Sequence, residues 1–348
     1  MRNEPLDTRG VRRLLVRSTN WIGDAVMTTP AVSAIRANFP SARISMLVKP
    51  WVAPIFAHSP HVDQILMYDD RGRHAGTFGK VRLARELRRR HFDAAILLQN
   101  AVEAAIIAFM AGIGVRIGFD TDGRRLLLTH PVHRGADVLK IHQTGYYLEM
   151  LRGAGLAIGT HDLELKVGEN ARRQACKRLE ALGLRDGRAV VGINPSATFG
   201  PTKQWFPERF AQLADRVRAA FDAHVVLFGG PGDRGLGQRI ASGMKRPPVD
   251  LCGRTTLGEA MALIQACDLF VTNDSGLMHV AAALDVPLVA IFGSTNPVAT
   301  GPSSRRSRVV QSPVDCAPCL KPHCPLGHMD CMRNITVGDV FGAVREML

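Results

Sequence analysis

The sequence predicts an α/β protein built on two doubly wound parallel sheets. Three observations predict it. Short apolar, β-rich runs alternate with helical patterns almost from end to end, the alternation restarts in the second half, and the strand-like runs of that half end in polar or glycine-bearing loops. At 348 residues, 46% of them hydrophobic, the chain is long enough for two domains of ordinary size.

In the first half, strands are expected near 13–18, 43–48, 63–68, 94–99 and 115–119, with helical spacing between them. The basic run "KVRLARELRRR" at 80–90 reads as a helix, and its Arg88, Arg89 and Arg90 as that helix's solvated face, contact with anionic lipid being the second reading. The long apolar stretch 94–115 is broken by Gln99, Asn100 and Glu103, so it reads as a buried strand followed by a helix rather than a membrane span. In the second half, "RAVVGINPSA", "HVVLFGG", "VDLCG", "LFVTNDSG" and "PLVAIFGST" read as strands, with helices at 207–221 and 257–266. The end, "ITVGDVFGAVREML", reads as a closing helix with Thr336 and Asp339 in capping-box spacing. The short polar segment 183–188 is the expected linker, giving domains at 1–182 and 183–335 and a closing segment at 336–348. Two such domains facing each other would enclose a cleft beyond the carboxyl ends of their strands. No internal sequence repeat is evident.

Forty-four Lys and Arg against 31 Asp and Glu leave a net charge of +13, which points to an acidic substrate or partner. Residues 1–150 hold 21 of the basic and 13 of the acidic side chains, so the excess leans to the first half. Only 6% of residues are aromatic and no nucleic-acid-binding motif is present, which argues against a nucleic acid. The polar start lacks the apolar centre of a secretory signal, and a cytoplasmic location is expected.

Four constellations carry chemistry. In "RSTNWIGDAVMTTP" a strand ends and Asp24 opens the next helix, where a carboxylate can act as general base or merely cap the helix. In "NPSATFGPTKQWFPERF" small hydroxyl residues, among them Ser196 and Thr198, and a single Lys203 precede a helix, a setting suited to a diphosphate. Neither the Walker A spacing nor G-x-G-x-x-G in the first βα turn is present. In "VTNDSGLMHVAA", Asp274 can bind sugar hydroxyls while the backbone N–H groups of Ser275 and Gly276 face a phosphate; His279 lies on the same helix face. A lone His on an apolar helix also fits a packed, hydrogen-bonded role. In "CAPCLKPHCPLGHMDC", Cys316, Cys319, Cys324 and Cys331 fit either a structural Zn²⁺ site or a loop of reduced thiols, while Cys176, Cys252 and Cys267 read as core fillers. The D-x-D of "FDTDGRR", Asp120 and Asp122, reads first as an Asp-Gly turn in an exposed loop, with Arg124 and Arg125 available to an acidic acceptor.

Taken together, "NWIGDAVMTTPA", "KQWFPERFAQLA", "GGPGDR" and "TNDSGLMHVAAALDVPLVAIFGSTNP" resemble the ADP-heptose:lipopolysaccharide heptosyltransferases of glycosyltransferase family 9. Trp21, the Lys-x-Trp of the second motif and the Cys-rich loop look most like the heptosyltransferase II branch. The resemblance implies two facing Rossmann-like domains, the GT-B fold, with acceptor bound by the first and nucleotide sugar by the second. It implies inverting transfer of L-glycero-D-manno-heptose from ADP-L-glycero-β-D-manno-heptose to the first heptose of the lipopolysaccharide inner core, with no cofactor. Asp24 would be the base; Ser196, Thr198 and Lys203 would meet the diphosphate; Asp274, Ser275, Gly276 and His279 would hold donor sugar and phosphate. Asp233, in "GGPGDR", would lie near the ribose. Asn20, Trp21, Arg124 and Arg125 would contact the acceptor, at the cytoplasmic face of the inner membrane. The rival readings are heptosyltransferase I or another family 9 transferase, and a basic, non-catalytic binder of nucleic acid or phosphoglycan.

Overall fold

The computed structural model describes residues 8–348. It divides into two units, one ending at Lys166 and one running from Val167 to the C-terminus. Each unit is an all-parallel six-stranded sheet with helices in its crossovers.

In the first unit the strands are β1 (Arg13–Arg17), β2 (Arg43–Val48), β3 (Gln64–Met67), β4 (Ala94–Leu97), β5 (Val115–Phe119) and β6 (His130–Val132), in the order β3-β2-β1-β4-β5-β6. The second unit has β7 (Val190–Asn194), β8 (His224–Leu227), β9 (Val249–Asp250), β10 (Leu269–Asn273), β11 (Leu288–Phe292) and β12 (Ser307–Gln311), in the order β12-β11-β10-β7-β8-β9. Numbered within its own unit, the second order is the first: 3-2-1-4-5-6, the doubly wound arrangement whose strand order reverses between its first and fourth strands. The repeat that the residues do not display is present in the topology.

The central strands form because they are apolar runs buried on both faces, as parallel strands covered by helices must be. Leu15, Leu47, Leu66, Leu83 and Ile107 pack the first core. In the second, Trp205 stacks edge-on to Phe210 with ring centroids 5.0 Å apart and donates its indole N–H to the Ile335 carbonyl at 3.0 Å. Each buried side chain of this size contributes about 1.5–3 kcal/mol.

The division falls earlier than the expected linker. Helix Glu169–Ala181 packs against helix Leu257–Gln265, so the second unit includes it, and 183–188 is a turn within that unit, with left-handed Gly183 and Gly187. The closing helix, Val337–Met347, has the expected capping box: Thr336 Oγ1 accepts from Asp339 N, and Asp339 accepts from Thr336 N at 2.8 Å. It packs against helix Pro207–Phe221 as part of the same unit. The 94–115 stretch is β4 followed by helix Val102–Met110, and among the described residues no helix is long and apolar enough to cross a membrane.

Candidate functional site: a cation-bearing corner at the strand switch

In the second unit the order reverses between β7 and β10, and the chain leaves those two strands at Asn194 and Asn273. Open α/β sheets hold ligands at such a crevice, because helix N-termini and loop amides converge there with no strand between them. Two expected groups, 194–203 and 273–279, start from these strand ends.

Their side chains interlock. Asn194 Nδ2 donates to Ser275 Oγ at 2.8 Å and to Thr272 Oγ1 at 3.1 Å, and Asn273 Nδ2 donates to the Pro195 carbonyl at 2.7 Å while its Oδ1 accepts from Trp205 N at 3.1 Å. Ser275 is the N-cap of helix Gly276–Ala283, its hydroxyl accepting from Met278 N. That cap fixes the helix entry, where unpaired N–H groups carry partial positive charge.

Lys203 reaches the corner from the loop after β7. Its Nζ lies 2.6 Å from Oδ2 of buried Asp274, and the same oxygen accepts the Thr295 hydroxyl at 2.6 Å. An ammonium has three donors, so the pair fixes the cation and leaves capacity for a ligand oxygen. Ser196 Oγ donates to Asp233 Oδ1 at 2.6 Å, while Asp233 Oδ2 accepts from Gly230 N at 2.7 Å, which ties the 229–234 turn to the same corner. Thr198 is exposed on the loop, and His279 is buried on the helix behind the corner. The structure therefore brings Ser196, Asp233, Lys203, Asp274 and Ser275 together as two bonded groups, Asn194 with Ser275, Ser196 and Asp233, and Lys203 with Asp274 and Thr295, which adjoin at the neighbouring residues Asp274 and Ser275. Asn194, Asn273 and Thr295 are members that the sequence reading passes over. For the two asparagines the signal is a polar residue ending a buried apolar strand; Thr295 lies three residues past the end of β11.

The Cys-rich loop backs this corner. Thr202 Oγ1 accepts from Ser294 Oγ at 3.0 Å and donates to the Lys321 carbonyl at 2.6 Å, and a Cβ at Gly200 would collide with the Pro322 carbonyl. Cys316, Cys319, Cys324 and Cys331 line a small cavity with Thr202, Ser294 and His328. All seven cysteines are free, and among the described residues no three His, Cys, Asp or Glu side chains are placed to hold a metal. Cys252 and Cys267 are buried core residues, with burial pushing the Cys267 thiol up to about 12, whereas Cys176 is only half-buried.

In the first unit the loop after β1 carries Asn20, Trp21 and Asp24. Trp21 is exposed and is the N-cap of helix Ile22–Met27, and Asp24 lies in its first turn. Asp24 is near enough to buried Tyr147 for its charge to add to the burial that holds that phenol well above its usual range. Asn20 is held from both sides: its Oδ1 accepts from Arg17 Nη2 at 2.7 Å and its carbonyl from Trp51 Nε1 at 2.8 Å. Beneath it, β1, β2 and β3 lead into a half-buried ionic network absent from the sequence reading. Lys49 Nζ pairs with Asp70 at 2.6 Å and sits 3.5 Å from the centre of the Tyr68 ring, whose hydroxyl donates to Glu103 at 2.6 Å. Burial pushes the Arg17 guanidinium down to about 10, against the neighbouring Tyr68, Glu103 and Asp70.

Arg124 departs from the expectation of an exposed acceptor contact. Its side chain is fully buried, and its guanidinium donates to the Phe119 carbonyl at 2.7 Å, to the Gln99 carbonyl and to Asn100 Oδ1 at 3.1 Å. It braces the loops after β4 and β5 from inside. Arg125 is exposed, 3.3 Å from Asp120 Oδ2, and the Asp-Gly turn is present, with Asp122 and Gly123 both at positive φ.

Residues 80–330 match the sequence model of glycosyltransferase family 9 (heptosyltransferase). Lipopolysaccharide heptosyltransferase 2 of Escherichia coli K12 is 32% identical over 313 residues, covering 86% of this chain and 88% of that protein. Lipooligosaccharide heptosyltransferase 2 of Haemophilus influenzae is 30% identical, with the same two coverages. Among solved structures, E. coli ADP-heptose LPS heptosyltransferase II aligns with a TM-score of 0.82 at 28% identity, covering 96% of this chain and 98% of that one. A family 9 glycosyl transferase from Veillonella parvula aligns with a TM-score of 0.88 at 26% identity over 99% and 98%. Sequence and fold agree over most of the chain, which belongs to glycosyltransferase family 9, the heptosyltransferases.

Proposed function

We propose that the chain moves L-glycero-D-manno-heptose from ADP-heptose to the first heptose of the lipopolysaccharide inner core, with inversion at the anomeric carbon. The observation that carries this reading is the corner at the β7/β10 switch, where Lys203, held by Asp274, and the capped N-terminus of helix Gly276–Ala283 meet at one strand edge. Support also comes from the relatives at 30–32% identity that bear the heptosyltransferase 2 name.

In this reading the acceptor hydroxyl oxygen attacks the anomeric carbon and its proton passes to the Asp24 carboxylate. The bond from that carbon to the ADP oxygen breaks, and its electron pair leaves with ADP. Lys203 and the Ser275 and Gly276 amides meet the charge that grows on the diphosphate, an electrostatic role worth about 10²–10³ in kcat for each donor. Ser196 and Thr198 add contacts to the diphosphate, Asp233 to the ribose, and Asp274 and His279 hold the sugar end. Asn20, Trp21 and Arg125 receive the acceptor, with the enzyme in peripheral contact with the cytoplasmic face of the inner membrane. The chemistry needs no further cofactor.

The test is incubation of the purified enzyme with ADP-heptose and core acceptors bearing zero, one or two heptoses, with products resolved by mass spectrometry. Extension of the one-heptose acceptor with release of ADP is expected. Extension of the heptose-free acceptor alone would reassign the chain to heptosyltransferase I, and no ADP release with any acceptor would remove the donor.

A further inference from the structure

Helix Val102–Met110, "VEAAIIAFM", is apolar nearly all round. One side is core: Ala105, Ile107 and Ala108 pack among the side chains beneath β4 and β5. The opposite side is open to solvent. Val102 is 39% exposed, Ile106 41%, Phe109 54% and Met110 39%, and the spacing i, i+4, i+7, i+8 puts them on a single stripe. The 3₁₀ turn Arg124–Leu127 packs beside this helix and adds Leu126, 92% exposed. Single exposed apolar residues are ordinary, but five of them side by side mark a surface that is covered in use.

The surroundings of the stripe are cationic. The basic helix Gly76–Arg88 runs alongside: Lys80 pairs with Glu103 at 2.5 Å near the N-terminal ends, and Arg88 Nε lies 3.7 Å from where a Cβ on Gly112 would stand, just past the C-terminal end. Half-buried Arg116 sits over the Phe109 ring at 5.4 Å while its guanidinium donates to the Leu127, Ile113 and Gly114 carbonyls. Exposed Arg125 adjoins Leu126, with two acids on the same loop, Asp120 at 3.3 Å and exposed Asp122. Glu103, the one acid on the stripe's own helix, is bonded to Tyr68 and Lys80. A second copy docking through a two-fold axis would set these cations against themselves. A surface of anionic lipid would not, since apolar side chains can sink about 5–10 Å below phosphates that the arginines meet.

We infer that the stripe Val102, Ile106, Phe109 and Met110, with Leu126 and the ring of Arg88, Arg116 and Arg125, is the face by which the enzyme lies on an anionic phospholipid bilayer. The inference rests on the functional reading only for a lipid-borne acceptor; the surface stands on its own residues.

Flotation of the full chain with vesicles of phosphatidylcholine, alone or with roughly 30% phosphatidylglycerol, tests it, because basic side chains near an anionic surface draw the protein down in a salt-sensitive way. Binding to the anionic vesicles only is expected, with a drop of about tenfold or more in Ile106→Ser/Phe109→Ser and of several-fold in Arg88→Ala/Arg125→Ala or at high salt. Val298→Ser, in the second unit, should bind as the parent does. Turnover of Ile106→Ser/Phe109→Ser on a delipidated, soluble acceptor should equal the parent's. No binding to either vesicle, binding indifferent to these changes, or self-association abolished by them would overturn the assignment. A chain that binds vesicles yet transfers no heptose would refute the functional reading and leave this surface intact.

Discussion

Lys203 owes its place to a carboxylate that is itself pinned. Asp274 is buried, takes the Thr295 hydroxyl on the oxygen that also meets the ammonium, and lies one residue before the helix cap Ser275. Lys203→Ala should therefore weaken ADP binding and lower kcat by about 10²–10³, and it also leaves the Asp274 charge buried without its partner. ADP affinity by calorimetry is the readout that matters, and an unchanged value would place Lys203 outside the donor site. Asp24 is different in kind in the proposed reading, where it takes a proton and does not meet the donor. Asp24→Asn should cut kcat by about 10²–10⁴ while ADP affinity stays within twofold of the parent; a fully active variant would assign the base elsewhere. Both residues are legible in the sequence because each follows an apolar run that stops at a polar break. Arg124 is not, since its burial depends on the Gln99 carbonyl and Asn100, which come into reach only when β4 and β5 pair.

At the scale of elements, what joins β1, β2, β3 and helix Val102–Met110 at the carboxyl edge of the first sheet is charge. Burial tends to raise the Asp70 carboxyl, but the Lys49 hydrogen bond and charge prevail and hold it below its usual range. Glu103 is held down in the same way, Lys80 and Tyr68 outweighing its burial. A carboxylate depressed in the folded state adds stability above its unfolded value of about 4, and that stability is lost as pH falls through the folded value. The first unit should thus weaken below about pH 4, when its network begins to take up protons. Asp70→Asn should cost about 2 kcal/mol at pH 7, less than for a fully buried pair because the carboxylate is partly solvated, and it should flatten the acid limb. Urea unfolding from pH 7 down to pH 3 checks both, and parallel curves for parent and variant would detach the network from acid stability. The central strands β1, β2, β4, β7, β10 and β11 are legible as apolar runs. The edge strands β6 and β12 are not: the first has Pro131 at its centre and the second is largely exposed, so neither carries the pattern of a doubly covered strand.

For the molecule as a whole, the same winding occurs twice, but the two switch points are furnished differently. After β1 stand Asn20, Trp21 and Asp24 above a paired ionic floor; after β7 and β10 stand a fixed ammonium and a capped helix N-terminus. In the proposed reading, duplicated topology with divergent strand ends separates the work, the first unit receiving the nucleophile and the second holding the anionic leaving group. A ligand that binds the folded chain stabilises the part it touches by RT ln(1 + [L]/Kd), about 2.7 kcal/mol at a hundredfold excess over Kd. ADP alone should therefore slow amide hydrogen exchange about a hundredfold at 194–203, 229–234 and 273–279, where exchange proceeds through opening of the binding corner, and leave 17–24 near its free rate. Protection confined to the first unit would reverse the assignment of donor and acceptor, and equal protection at both strand edges would mean that the nucleotide by itself engages both.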